Sequence, residues 1–240
     1  MESAFAAAAA AARRGDWDGA AAAALAATAH GAVPRAAAPM LAGLVRELRK
    51  AERIDTARAV ADAFVRAAPD EPAAWLGRSE VAHRQGDLPL AIADTRAAMA
   101  RAANPRAGAP RLVQLLQEAG WWDEAITAAE AALAADPGDL EIMAMLADVE
   151  DAAGRPEDAA RTIARALARR AERGFGSPQL LMSLFRAGRL DAAIADLELR
   201  WSLSGAPPRP FPQPAWDGGA LPDETLLVWG EQGLGEEIWA

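Results

Sequence analysis

The residues best suited to chemistry gather near one end of the sequence. An apolar run, Thr225-Leu226-Leu227-Val228-Trp229, leads directly into Gly230-Glu231-Gln232-Gly233-Leu234-Gly235 and then Glu236. Five apolar-type residues bounded by turn formers read as a buried strand. A glycine turn followed by a helix start lets backbone N–H groups close on a phosphate or a sugar. Gly230, Gly233 and Gly235 are therefore expected to form a sugar- or phosphate-binding loop. Elsewhere the reactive inventory is thin. Cysteine is absent, which removes disulfides, thiolate nucleophiles and cysteine metal sites together. The two histidines, His30 and His83, are far apart in sequence, and His83 has no neighbouring Ser or Cys to activate. No metal and no cofactor are expected.

Charge narrows the partners. The chain carries 34 acidic against 25 basic residues, a formal net charge of −9, so its mean field repels a phosphate backbone and nucleic acid is not an expected ligand. The opening Met1-Glu2-Ser3-Ala4-Phe5 and the alanines after it lack the positive start and greasy centre of a signal peptide. No window of ~20 strongly apolar residues is present to span a bilayer. No membrane association and a cytoplasmic location are expected.

The elements that must position these residues follow a repeating step. Gly86, Gly120, Gly154 and Gly188 succeed one another at 34 residues, each followed five places later by alanine: Ala91, Ala125, Ala159 and Ala193. One step back, Ala57 keeps the phase, while Glu52 stands in the glycine slot. A further unit at Gly15 and Ala20 is displaced by three residues, an insertion assigned to the turn around Val33-Pro34-Arg35. Six units result, at 1–37, 38–71, 72–105, 106–139, 140–173 and 174–205. Within each, the glycine closes a first helix in the left-handed conformation. A second helix follows, with Pro89 or Pro156 at its start and Pro69, Pro105 or Pro137 at its end. Helical spacing such as Leu41, Leu44, Val45 and Leu48 supports helices of about 12–14 residues. The alanines mark helix crossings, where only a small side chain lets backbones approach.

A 34-residue helix–turn–helix with these small residues resembles the tetratricopeptide repeat. Trp75 stands in that family's Trp position, and Ala57, Phe64 and Pro69, with Ala125, Ala132 and Pro137, in later ones. The family pattern departs in the absence of tyrosine and in an almost all-alanine first helix. The resemblance implies an all-α, right-handed superhelical solenoid over residues 1–205, with a concave groove lined by the first helices. It places in that groove Ala42, Arg46, Arg49 and Lys50, then Leu76, Glu80, His83 and Arg84, then Pro110, Gln114, Gln117 and Glu118. Glu141, Asp148 and Asp151 follow, and last Gln179, Met182, Phe185 and Arg186. Such a groove passes from basic to acidic and suits an extended peptide or protein segment of mixed charge. With one lysine and one asparagine in the chain, a clamp for a C-terminal carboxylate is not expected. Trp17, Trp75, Trp121, Trp122 and Trp201 are expected to be packing residues.

After Leu203 the phase ends. Residues 206–220 are rich in proline and glycine and form a stiff linker. The stretch Trp216-Asp217-Gly218 with Leu226-Leu227-Val228-Trp229-Gly230-Glu231-Gln232-Gly233-Leu234-Gly235 resembles the opening of glycosyltransferase modules, similar to heptosyltransferases, that follow such repeats in bacterial proteins. That resemblance implies a nucleotide-sugar donor and a catalytic carboxylate, which falls on Glu236 where the family carries aspartate. Residues 221–240 then hold only the first strand and loop of the module, which needs roughly 250 further residues. The 240 residues are expected to be incomplete and to transfer no sugar on their own. The expected function is a scaffold that binds protein or peptide, as the leading part of a repeat-fused transferase; the alternatives are that transferase itself and a stand-alone adaptor. The oligomeric state is not indicated.

Overall fold

Alanine has the highest helix propensity and the smallest apolar side chain, so a chain rich in it is suited to many slender helices at close quarters. The computed structural model describes residues 2–29, 33–173 and 178–194, with Gly219 and Thr225 beyond them. The chain divides into two units, Met1–Leu199 and Arg200–Ala240, and all of the described helices lie in the first. They are α1 (Glu2–Arg13), α2 (Trp17–Ala29), α3 (Ala38–Lys50), α4 (Ile54–Ala67), α5 (Pro72–Arg84), α6 (Leu88–Arg101), α7 (Ala109–Glu118), α8 (Trp122–Ala135), α9 (Leu140–Ala152), α10 (Pro156–Arg173) and α11 (Pro178–Arg186). Residues 190–194 are helical again. No strand occurs among the described residues. Apart from Gly219 and Thr225, the linker over 206–220 and the strand and glycine loop over 221–240 lie outside the described residues, as do Trp201 and the site residues Gly230, Gly233, Gly235 and Glu236.

The phase read from the glycines has a backbone cause. Gly15, Gly86, Gly120, Gly154 and Gly188 all have φ between 66° and 77°, and each closes a first helix with the same two hydrogen bonds. In the unit of Gly120, Gly120 N donates to Gln117 O at 3.0 Å and Trp121 N to Leu116 O at 2.9 Å. This pair satisfies carbonyls that the helix end leaves open. Glu52 holds the same conformation without being glycine, at φ 57°, and makes the same bonds, Glu52 N to Arg49 O and Arg53 N to Leu48 O. Carboxylates cap helix starts: Asp87 accepts from Leu90 N at 3.2 Å, and Asp139 from Glu141 N and Ile142 N.

Helix lengths depart from the even 12–14 expected. α7 has 10 residues because a 3-10 turn, Pro105–Gly108, takes up its approach. α10 runs to 18 residues because Ala171 stands where the preceding unit has Pro137, so nothing breaks the helix there. The inserted residues before α3 form a second 3-10 turn, Arg35–Ala37, and Val33 N reaches Ala67 O at 3.3 Å.

Packing follows the alanine slot. Ala20, Ala57, Ala91, Ala125 and Ala193 are fully buried, and Ala159 nearly so. Buried apolar side chains form two clusters that meet inside α5, one from Phe5 to Val81 and one from Ala82 to Ala193. Near that meeting point the interior is polar. Arg78 makes two parallel bonds to buried Asp94, Nε to Oδ2 at 2.7 Å and Nη2 to Oδ1 at 2.8 Å. Ser79 and Thr95, also buried, have their hydroxyl oxygens 2.8 Å apart, and each lies within hydrogen-bond distance of Ala91 O, at 2.9 and 2.8 Å. The paired carboxylate, opposed by burial, raises the Arg78 guanidinium above its ordinary value.

Candidate functional site

First helices of neighbouring units lie against one another: α3 on α5, α7 on α9, and α9 on α11. Among second helices the substantial contact is α2 on α4 alone. At those three junctions the first helices lie closer together than the second helices do, and the outward strip of the first helices is the surface that carries the residues singled out from the sequence.

The side chains on this strip are largely engaged with one another, one unit to the next. Arg49 Nη2 stands 3.0 Å from Glu80 Oε2, joining α3 to α5. Arg84 Nη2 donates to both oxygens of Glu52, at 2.7 and 2.9 Å. His83 Nε2 lies 2.5 Å from Glu118 Oε2, and Gln114 Nε2 donates to Glu118 Oε1 at 2.8 Å. Burial pushes the Glu118 carboxyl up, but its bonds to His83 and Gln114 and the charges of His83 and Arg111 outweigh this and hold it below the ordinary value. Arg186 pairs with half-buried Asp148, joining α11 to α9. Arg46 and Lys50 are both exposed and share one carboxylate, Glu47, at 3.9 and 2.9 Å. Gln117 is half-buried on α7. Asp151 is exposed on α9, and among the described residues its carboxylate has no ion-pair or hydrogen-bond partner.

Apolar side chains interrupt the charges. Leu76 is 39% exposed, Met182 50% and Phe185 39%. The other large apolar side chains left exposed among the described residues are Trp121, Leu190 and Ile194. Half of that set therefore falls on first-helix positions assigned to the groove by resemblance.

The tryptophans divide. Trp75 packs as expected, its Nε1 donating to Pro69 O at 2.8 Å and its ring lying 5.1 Å from the Arg78 guanidinium and 4.6 Å from that of Arg101. Trp17 and Trp122 are half-buried against the apolar clusters. Trp121 departs from the packing expectation. It is 39% exposed and borders a depression of about 470 Å3 with Trp122, Asp123, Glu124 and Arg155. A signal was present: the equivalent position holds Asp16, Arg53, Asp87, Arg155 and Arg189 in the other units. Asp123 and Glu124 there are already paired, with Arg155 at 2.6 Å and Arg96 at 2.5 Å.

Among the described residues no group of three or more His, Asp or Glu side chains is placed to hold a metal, and no helix is long and apolar enough to cross a membrane.

Two family models, both described as tetratricopeptide repeat, match residues 42–107 and 116–174. Among solved structures, a crystal structure of the MamA protein superposes with a TM-score of 0.57 at 18% identity, covering 72% of this chain and 96% of that one. A second MamA structure gives 0.54 at 18% identity, over 68% and 94%. MamA 41-end from Desulfovibrio magneticus RS-1 gives 0.50 at 15% identity, over 70% and 95%. At these identities the likeness is one of fold. Comparison with curated proteins finds no match.

Proposed function

The chain is a tetratricopeptide-repeat protein, and from that premise we propose that it is a scaffold whose inner face binds an extended segment of another polypeptide. The observation that carries this reading is the placement of Leu76, Met182 and Phe185, exposed apolar side chains on first helices among paired charges. Apolar area kept in water is about 25 cal/mol per Å2 of unused driving force, and a polar rim around it is the usual anatomy of an interface. Arg46, Arg49, Lys50, Glu80, His83, Arg84, Gln114, Gln117, Asp148, Asp151 and Arg186 supply that rim. The test is binding of an immobilised library of extended peptides by the whole chain. Substitutions on the inner face (Leu76→Lys, Gln114→Lys) should abolish capture, and a substitution on an outer helix (Arg96→Glu) should leave it intact. The opposite ranking would refute the groove.

A second reading makes the array the leading part of a nucleotide-sugar-dependent glycosyltransferase, with Gly230, Gly233 and Gly235 at the sugar or phosphate and Glu236 as catalytic carboxylate. It rests on the sequence resemblance of residues 216–236. Sequencing the coding DNA beyond codon 240 decides it: a continuing frame with further α/β units supports a transferase, and a stop codon there removes it.

A further inference from the structure

We infer that the inner face between α9 and α11 is a subsite for a basic side chain, a lysine or arginine of the bound segment, with its aliphatic stem on Met182 and Phe185 and its charged head on Asp151. The inference rests on the inner-face reading above and adds the partner's chemistry.

The argument is one of register. Arg49 and Glu80 occupy different slots of successive units: Arg49, His83, Gln117, Asp151 and Phe185 share one slot, and Arg46, Glu80, Gln114, Asp148 and Met182 share the other, three residues earlier. The Arg49–Glu80 contact at 3.0 Å shows that the first slot of one unit neighbours the second slot of the next. At the following junction His83 and Gln114 both engage Glu118, and at the α7–α9 junction the two slots hold Gln117 and Asp148. At the last junction the two slots hold Asp151 and Met182. The carboxylate there has no partner among the described residues, and the thioether beside it is 50% exposed. Phe185, three residues on from Met182 and so on the same helix face, is 39% exposed. Asp148 and Arg186 pair across this junction, and apart from that pair it presents an anion and two exposed apolar side chains.

Lysine and arginine match that combination, since each carries an apolar stem below a cation, and a cation over a phenyl face gains further attraction. An acidic segment finds no unpaired cation here, because Arg186 is held by Asp148. A purely apolar segment would leave Asp151 desolvated without a partner, which costs free energy.

Fluorescence anisotropy with two labelled decamers of Pro, Ser and Leu, alike except for three positions that carry Arg in one and Glu in the other, tests this on the full chain. The Arg probe should bind, more weakly as salt rises, and the Glu probe should not. Asp151→Asn should weaken the Arg probe about fivefold, and Phe185→Ser about fivefold. Both positions are exposed, so helicity by circular dichroism should not change. Asp18→Asn, on α2, should bind like the parent. Preference for the Glu probe overturns the inference. Binding of the Arg probe that is indifferent to Asp151→Asn and Phe185→Ser but lost in Leu76→Lys overturns this subsite alone and leaves the groove. Absence of binding by both probes overturns it as well, and if the peptide library also fails, the groove reading falls with it. Self-association of the parent, lost in Phe185→Ser by light scattering, would assign the face to a second copy and likewise overturn the basic-side-chain subsite.

Discussion

Glu52 offers a sharp test of why the repeat keeps its phase. It is the one described non-glycine residue with positive φ, at 57°, in a slot where five glycines sit between 66° and 77°. A side chain in the left-handed region costs about 1–2 kcal/mol. Replacing Glu52 by glycine removes that strain but gives the unfolded chain freedom worth about 0.5–1 kcal/mol. It also deletes the contact with Arg84, whose side chains are 68% and 47% exposed. At such exposure an ion pair contributes about 0–1 kcal/mol. The expected net result is a small gain, about 0.5 kcal/mol, for Glu52→Gly in the parent. In an Arg84→Gln background, where the pair is already absent, the gain should rise to about 1 kcal/mol. Glu52→Ala keeps the strained backbone and loses the pair, so it should be less stable than the parent. Asparagine, which tolerates this conformation better than most residues, should fall between alanine and glycine. The assay is urea unfolding by far-UV circular dichroism, comparing midpoints across this set. If Glu52→Ala equals or exceeds Glu52→Gly in either background, backbone strain is not what the slot selects against.

Three further substitutions probe the interior. Ala125→Leu should destabilise by about 1–3 kcal/mol through overpacking of a fully buried crossing, read as a lowered urea midpoint with helicity retained. Asp94→Asn should cost about 3 kcal/mol, because it leaves the Arg78 guanidinium without its buried counter-ion; replacing both residues by leucine should cost less than Asp94→Asn alone. Glu150 is buried on α9, with Oε2 unbonded, in a slot where other units carry Leu48, Ala82, Leu116 and Leu184. Burial first, and then the carboxylates of Asp158 and Glu130, raise its carboxyl above the ordinary 4.5, against the bond to Thr162 and the charge of Arg161. A raised folded value means the folded state binds the proton more tightly, so the contribution of Glu150 to stability is fully present below pH 4.5 and is lost as pH rises through the raised value. Glu150→Gln should therefore stabilise at pH 7 and make no difference near pH 4; equal effects at both values would contradict the assignment.

Periodic positions carried much of the fold. The glycine and alanine phase located turns and crossings because both depend on local quantities: the absence of a Cβ where φ is positive, and the absence of bulk where helices touch. Helix lengths were less legible. Ala171 in place of a proline lets α10 run on, and a 3-10 turn shortens α7, since a helix end depends on what happens to stop it. Trp121 stays at the surface instead of packing, in a slot that carries Asp or Arg in the other units.

What the sequence by itself determined is the alternation of paired helices with a left-handed residue between them, because those features arise from each residue's own conformational preferences and size. The tertiary structure alone decided which charges on the first helices meet. Arg49 finds Glu80, His83 finds Glu118 and Arg186 finds Asp148, at sequence separations of 31, 35 and 38 residues that follow no single period. Long side chains reach one of several neighbouring slots across a junction, and which slot is in reach depends on how two units pack. That same packing leaves Asp151, Met182 and Phe185 outside the pairing.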